Sequence, residues 1–241
     1  MLAGALLVSA WTAIVKDRRI LGGVLLGLAT FKPQLALLPV LWLLLERQWK
    51  VLAIGAATAM VMSVPAFMVS GIWGSYVEWF SMLGIAKAKA AFEGIWAEME
   101  WRRFFIAAGL RLPDLLFVAP VATVALWMAR NRIVLDDRYP LILGIAFQFI
   151  YLHDGDLMAI SPMASSYFRR LRGKASGWLA VALLLALFTP QRLLRRSGVD
   201  ALGHIRIPAL ALLWAWLLVM ALQERRLNTP VGAPAALPPP A

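Results

Sequence analysis

Short clusters of basic residues separate most of the long apolar runs in this chain, at residues 16–19, 47–50, 169–174, 192–196 and 225–226. That alternation constrains the fold more than any other feature. Runs this apolar cannot all find cover inside one soluble core, and hydrocarbon is the solvent that accepts them. Composition agrees: 61% of the 241 residues are hydrophobic and 15% are charged. An average soluble domain has roughly 25% charged residues.

The formal charge is +11, from 24 Lys and Arg against 13 Asp and Glu. On a soluble protein that excess would suggest a nucleic-acid partner. Here it marks cytoplasmic loops, and the partner it fits is the anionic headgroup layer of membrane lipids. No face is left for nucleic acid once the runs are in lipid. There are no cysteines, which excludes disulfides, thiolate metal sites and a cysteine nucleophile. No Walker loop, dinucleotide fingerprint, zinc-protease helix or nucleophile elbow occurs, which argues against a nucleotide-driven enzyme.

Residues 2–15 are apolar, but at about 14 residues they fall short of a span. The basic cluster follows this run, the reverse of a signal peptide. Residues 20–45 form a run of about 26 with basic clusters at both ends, interrupted by Lys32, Pro33 and Gln34. If both ends are cytoplasmic, the run enters and returns as a re-entrant hairpin or two short helices. Each arm of about 12 residues reaches only about 18 Å. Such arms survive when packed within a bundle. The plain alternative is one kinked span with Lys32 near its middle.

Residues 51–69 are a cleaner span, with Pro65 as a point for a kink. Over 70–113 the composition changes: Gly71, Gly74 and Gly84 break the pattern, and tryptophans alternate with charge. We expect an outer loop there, with amphipathic helices lying on the membrane surface. Its tryptophans read as an interface belt, with ligand contact as the alternative.

Residues 115–129 return inward. Residues 139–151 and 157–168 are again two short arms around a polar tip, His153-Asp154-Gly155-Asp156, and both tips are expected on the outer side. The basic stretches at 192–196 and 225–226 cannot both be inside if each intervening run crosses once. Either 178–189 is re-entrant or one basic loop is outside. The tail at 228–241 is too rich in proline to fold. The expected architecture is all-α: a polytopic transmembrane helical bundle over 1–227, with short re-entrant or broken helices, an outer interfacial loop at 70–113 and a disordered tail.

Ionisable groups are costly in lipid, so those that interrupt apolar runs are the candidates for function. Pro33 suits the first turn of a helix, whose backbone N–H groups lack internal partners and can bind an anion. Lys32 and Gln34 stand beside those donors, an arrangement suited to a lipid phosphate. The alternative is a snorkelling lysine at a helix end. His153, Asp154 and Asp156 form the second set. Their carboxylates could serve as a general base, as metal ligands or as partners for Lys32. A tip simply exposed to water is the alternative. The spacing matches no strong metal motif. His204 is given no role.

The stretch Gly23-Val-Leu-Leu-Gly-Leu-Ala-Thr-Phe-Lys-Pro-Gln-Leu-Ala-Leu-Leu-Pro39, with Leu45-Glu-Arg-Gln-Trp49 after it, resembles glycosyltransferase family 87. Tyr151-Leu-His-Asp-Gly-Asp-Leu157 is similar to a later motif of that family. Met99-Glu-Trp-Arg-Arg-Phe-Phe-Ile-Ala-Ala-Gly109 is more weakly similar to its short helix after the large outer loop. The resemblance implies an integral membrane hexosyltransferase of the GT-C class, in the bacterial cytoplasmic (inner) membrane. Such an enzyme passes a mannose-like sugar from a polyprenyl-phosphate donor to a lipid or glycan acceptor on the outer face, with inversion. It implies that Lys32, Gln34 and His153 bind substrate, and that Asp156 or Asp154 stands nearest to a catalytic role. No cofactor is implied, and a divalent metal is left open. The resemblance further implies that the family's usual catalytic carboxylate precedes the part matched here, so that this chain corresponds either to an inactive, N-terminally truncated form or to one in which Asp154 or Asp156 takes the place of that base. A transporter or lipid-carrier flippase component is the runner-up, since transporters also use broken helices with polar tips. A non-enzymatic membrane partner is the third reading.

Overall fold

The computed structural model describes residues 2–93, 117–150, 157, 159–171, 174–189 and 206–228. All regular structure among them is helical. In chain order the α-helices are α1 (Leu2–Val15), α2 (Arg19–Ala29), α3 (Pro33–Leu45), α4 (Trp49–Glu93), α5 (Val118–Met128), α6 (Leu135–Phe149), α7 (Ser161–Leu171), α8 (Ala175–Phe188) and α9 (Arg206–Asn228). The expected all-α bundle is what the chain forms.

Two similar turns reverse the chain at one end. Arg18 N–H donates to the Ala13 carbonyl at 2.8 Å and Asp17 N–H to Ile14 at 3.0 Å. Gln48 N–H donates to Leu43 at 2.9 Å and Arg47 N–H to Leu44 at 3.0 Å. This is the paired closure that ends helices through a left-handed residue. Asp17 and Arg47 occupy that position, at φ 56° and 55°.

Between these turns, α2 and α3 form the expected hairpin of short helices. The arms have 11 and 13 residues. They are held because α2 packs tightly between α1 and α4. A Cβ added at Gly23 would stand 2.8 Å from the Val51 carbonyl oxygen, and one at Gly27 only 2.5 Å from that of Gly55. Gly23 and Gly27 thus make the small-residue pair, four apart, that lets membrane helices approach closely. Contacts advance together along both chains, so α2 and α4 run parallel. Gly22 faces the other way, toward Ala10 and Ile14 of α1.

In the segment expected to be an outer loop with helices, a helix does follow a break at Gly71, and what is corrected is the reading of Gly74 and Gly84 as further breaks. α4 continues through Ser70 to Glu93, and Gly74 and Gly84 lie inside the helix. Only Gly71 leaves helical geometry, at φ 68° and ψ 164°, producing a kink. A glycine within a helix costs only about 1 kcal/mol, so its presence does not by itself end one. The rest of that segment, 94–116, and the proline-rich tail beyond Asn228 lie outside the described residues.

Two stretches, Trp49–Val69 and Arg206–Glu224, are long and apolar enough to cross a membrane. The first keeps most of its surface outward: Met68 is 82% and Val69 88% exposed. A soluble core helix would bury such side chains, whereas hydrocarbon accommodates them. Trp49 and Trp73 are exposed near the two ends of this stretch, as interface residues are.

α6 is the central element, buried continuously from Tyr139 to Gln148. α3, α5, α7 and α9 surround it. Trp214 Nε1 donates to the Leu141 carbonyl at 2.8 Å, and Tyr167 Oη donates to the Leu213 carbonyl. At the start of α6, Asp137 is completely buried. Ser166 Oγ donates to its Oδ1 at 2.7 Å. Arg170 Nη1 donates to the same oxygen at 3.0 Å, and Nη2 donates to Oδ2. Arg170 Nε also donates to Glu224 Oε2 at 2.9 Å. Burial lowers the Arg170 pKa, but its hydrogen bonds to Asp137 and Glu224, and their charges, outweigh that and hold it above the ordinary guanidinium value. This cluster ties α6, α7 and α9 together at one end. Glu46 and Arg130, 3.1 Å apart, join the α3–α4 turn to the loop after α5 at that same end.

The opposite end of α8 and α9 is fixed by Arg206, whose Nε donates to the Leu187 carbonyl at 3.0 Å. α8 and α9 are therefore antiparallel. The chain leaves α8 and enters α9 at the end away from Arg170 and Glu224. The basic stretch at 192–196, on which the two alternatives for the last segments turn, lies outside the described residues.

Two substitutions test this packing. Gly27→Leu should lower the thermal unfolding midpoint in detergent, because the overpacked α2–α4 contact loses about 1–3 kcal/mol. Arg170→Met should destabilise by about 3–5 kcal/mol by removing the closest cation from the buried Asp137, which keeps only Ser166 and the more distant Arg169 at 3.5 Å. Adding Asp137→Asn to Arg170→Met should recover most of that loss in the same unfolding measurement.

Candidate functional site

The Lys32–Pro33 pair breaks the helix for a local reason. A residue before proline is driven away from helical backbone angles, and Lys32 sits at φ −120° and ψ 78°. α2 closes just before it, with Thr30 Oγ1 donating to the Gly27 carbonyl at 2.5 Å. Lys32 N–H donates to Ala29 at 3.1 Å, and the Lys32 carbonyl accepts from Leu35 N–H at 3.1 Å. Pro33 then opens α3, its missing N–H being one that a first turn would leave unpaired anyway. No side chain caps this helix start. Lys32 and Gln34 are both half-buried.

Beyond this break an apolar groove lies along α3 (about 670 Å³). One wall is Leu37, Leu38, Val40, Leu41 and Leu44 of α3, and the other is Phe117, Ala119 and Pro120 at the start of α5. Ile150, at the end of α6, lies on it as well. Leu37, Leu44 and Phe117 are exposed, so the groove opens outward. Its upper end is about one helical turn beyond Lys32.

His153, Asp154 and Asp156 lie outside the described residues. Their attachment points do not. Ile150 borders the groove that begins below Lys32. Leu157 is buried, and Ala159 meets Gly4 at the start of α1. Both polar tips are thus attached at the same end of the bundle, as their repeated pattern predicts. That end is opposite the Asp137–Arg170–Glu224 cluster. Among the described residues no group of three His, Asp or Glu side chains is placed to hold a metal ion.

The groove escaped the sequence reading. Its signal was present in the i, i+4, i+7 spacing of Leu37, Leu41 and Leu44, but α3 is apolar all round and the leucines that line a groove look like those that meet lipid. Asp137 and Arg170 were legible only as loop charges, since their pairing joins residues 33 positions apart.

No curated protein and no solved structure matches this chain. A family model described as glycosyltransferase family 87 matches residues 1–152. That match takes in α1 to α6, the Lys32–Pro33 break and both walls of the apolar groove, and it ends just before His153. Covering well over half of the sequence, it establishes that the chain belongs to glycosyltransferase family 87, a family of membrane glycosyltransferases.

Proposed function

We propose that the chain handles a polyprenyl-phosphate-linked hexose, of mannose type, as donor. The sugar goes to a lipid or glycan acceptor on the outer face of the bacterial cytoplasmic membrane. The observation that carries this reading is the open apolar groove along α3, whose first lining residue, Leu37, follows Lys32 and the uncapped helix start by little more than one helical turn. A donor of this kind has the same two parts: an isoprenoid chain suited to the groove and a phosphate suited to the cation and backbone N–H groups. The helix start alone would suit any anion. Joined to the groove, it selects an anion with a long apolar tail.

In the proposed reaction an acidic side chain takes the proton of the acceptor hydroxyl. The hydroxyl oxygen forms a bond to the anomeric carbon as the bond from that carbon to the phosphate oxygen breaks. The sugar inverts and polyprenyl phosphate leaves with the electron pair. Lys32 offsets the charge that grows on the phosphate as it departs. Asp156 and Asp154 are the carboxylates assigned to the proton step, with Gln34 and His153 as donors to sugar or phosphate. No cofactor is invoked.

The test uses membranes carrying the chain and a radiolabelled polyprenyl-phosphate sugar. Lys32→Ala should lower transfer by about 100- to 1,000-fold, as loss of one charge-stabilising donor does elsewhere, while the protein stays in the membrane. Normal transfer by that variant would remove Lys32 from the mechanism. Leu37→Asp, at the mouth of the groove, should raise KM for long-chain donors at least about tenfold. It should leave KM for a short-chain donor analogue unchanged. Movement of the donor across vesicles with no new glycosidic product would assign the site to transport instead.

A further inference from the structure

A second concave surface lies at the other end of the bundle, where α1 turns into α2. It measures about 830 Å³ and is lined by Asp17, Arg18, Arg19 and Lys50 above Ile20, Leu21 and Val24. The cations form its rim and the aliphatic side chains its floor. Asp17 is the one carboxylate in this lining, and it is already paired with Arg19, whose Nε lies 2.7 Å from Oδ1. Arg18 and Lys50 are exposed and make no ion pair among the described residues. Beneath them, Ile20 is 62% and Leu21 46% exposed. Trp49, next to Lys50, is 61% exposed.

Charge and apolar surface are stacked in the order in which a phospholipid presents them. Two cations without carboxylate partners stand where Trp49 marks the headgroup level. Lys50 belongs to the stretch Trp49–Val69, long and apolar enough to cross a membrane, whose side chains are mostly exposed. A free anion would satisfy the rim and leave the floor in water. A neutral lipid would cover the floor and leave Arg18 and Lys50 unbalanced. We propose that this groove between α2 and α4 is a binding site for an anionic phospholipid of the basic-side leaflet. The headgroup phosphate lies between Arg18 and Lys50, and an acyl chain lies over Ile20, Leu21 and Val24. The site is separate from the donor groove, and nothing in the proposed transfer reaction requires it.

The experiment is native mass spectrometry of the purified full chain released from detergent, with added phosphatidylglycerol or phosphatidylcholine. The wild-type chain should retain phosphatidylglycerol preferentially. Arg18→Ala with Lys50→Ala should reduce that preference by about thirtyfold, in line with the loss of two cations near a charged headgroup. Arg132→Ala with Lys174→Ala removes two cations elsewhere at the same end and should leave the preference intact. Ile20→Asn with Leu21→Asn leaves the rim charges unchanged and should still weaken phosphatidylglycerol retention. Glycerol phosphate should not compete at concentrations equal to the lipid. An unchanged preference in the Arg18 and Lys50 double variant would overturn the proposal. So would an equal loss in the Arg132 and Lys174 control, which would indicate diffuse surface charge. Full competition by glycerol phosphate would show a simple anion site.

Discussion

The backbone contact between α2 and α4 is the constraint on which the Lys32–Pro33 end of the bundle depends. Neither arm of the hairpin at residues 19–45 is long enough to cross hydrocarbon by itself. A break in mid-membrane exposes N–H and carbonyl groups that lipid cannot satisfy, so such a break persists only inside protein. Gly23 and Gly27 let α2 lie directly against Val51 and Gly55 of the long helix α4. With α2 fixed in this way, α3 begins at a defined height, and Lys32 and Pro33 are presented at the end where both polar tips are attached. Larger side chains at these glycines would separate the helices and leave the break unsupported.

A different kind of interaction orders the opposite end. Asp137 is buried without any exposure, and Arg170 bridges it to Glu224. The cluster brings three helices together through one guanidinium shared by two carboxylates, where an unpaired buried carboxylate would be costly. It also sets direction: with the ends of α7 and α9 fixed there, Arg206 and the Leu187 carbonyl meet at the far end. The molecule is thus polar along its length. One end is basic and tied by ion pairs, and the other carries the helix break, the groove mouth and the attachments of the acidic tip.

Much of this was legible in the residues. The run at 20–45 was too long for one short helix and had basic ends, which favoured a hairpin, and Lys-Pro marked its turn because of what proline does to the residue before it. Where reading failed, the cause was physical. Gly74 and Gly84 were read as breakers, yet a helix tolerates glycine wherever the flanking turns remain bonded; Gly71 differs by adopting a positive φ that only glycine reaches at little cost. The groove was invisible because periodicity separates apolar from polar faces, and α3 has no polar face. Burial of Asp137 could not be foreseen from its neighbours Asp136 and Arg138, which belong to an ordinary charged loop.

The sequence alone determined that this chain is a helical protein of lipid surroundings, where its helices break, and which ionisable residues interrupt the apolar runs. Those properties follow from local chemistry: hydropathy, proline geometry and the cost of charge in hydrocarbon. The tertiary structure decided which glycines become contact points, which leucines line a groove and which carboxylate is buried against an arginine. It also decided the direction of the last two helices. Those outcomes depend on which surfaces meet across the bundle, and a one-dimensional pattern of apolar and charged residues is compatible with many such pairings.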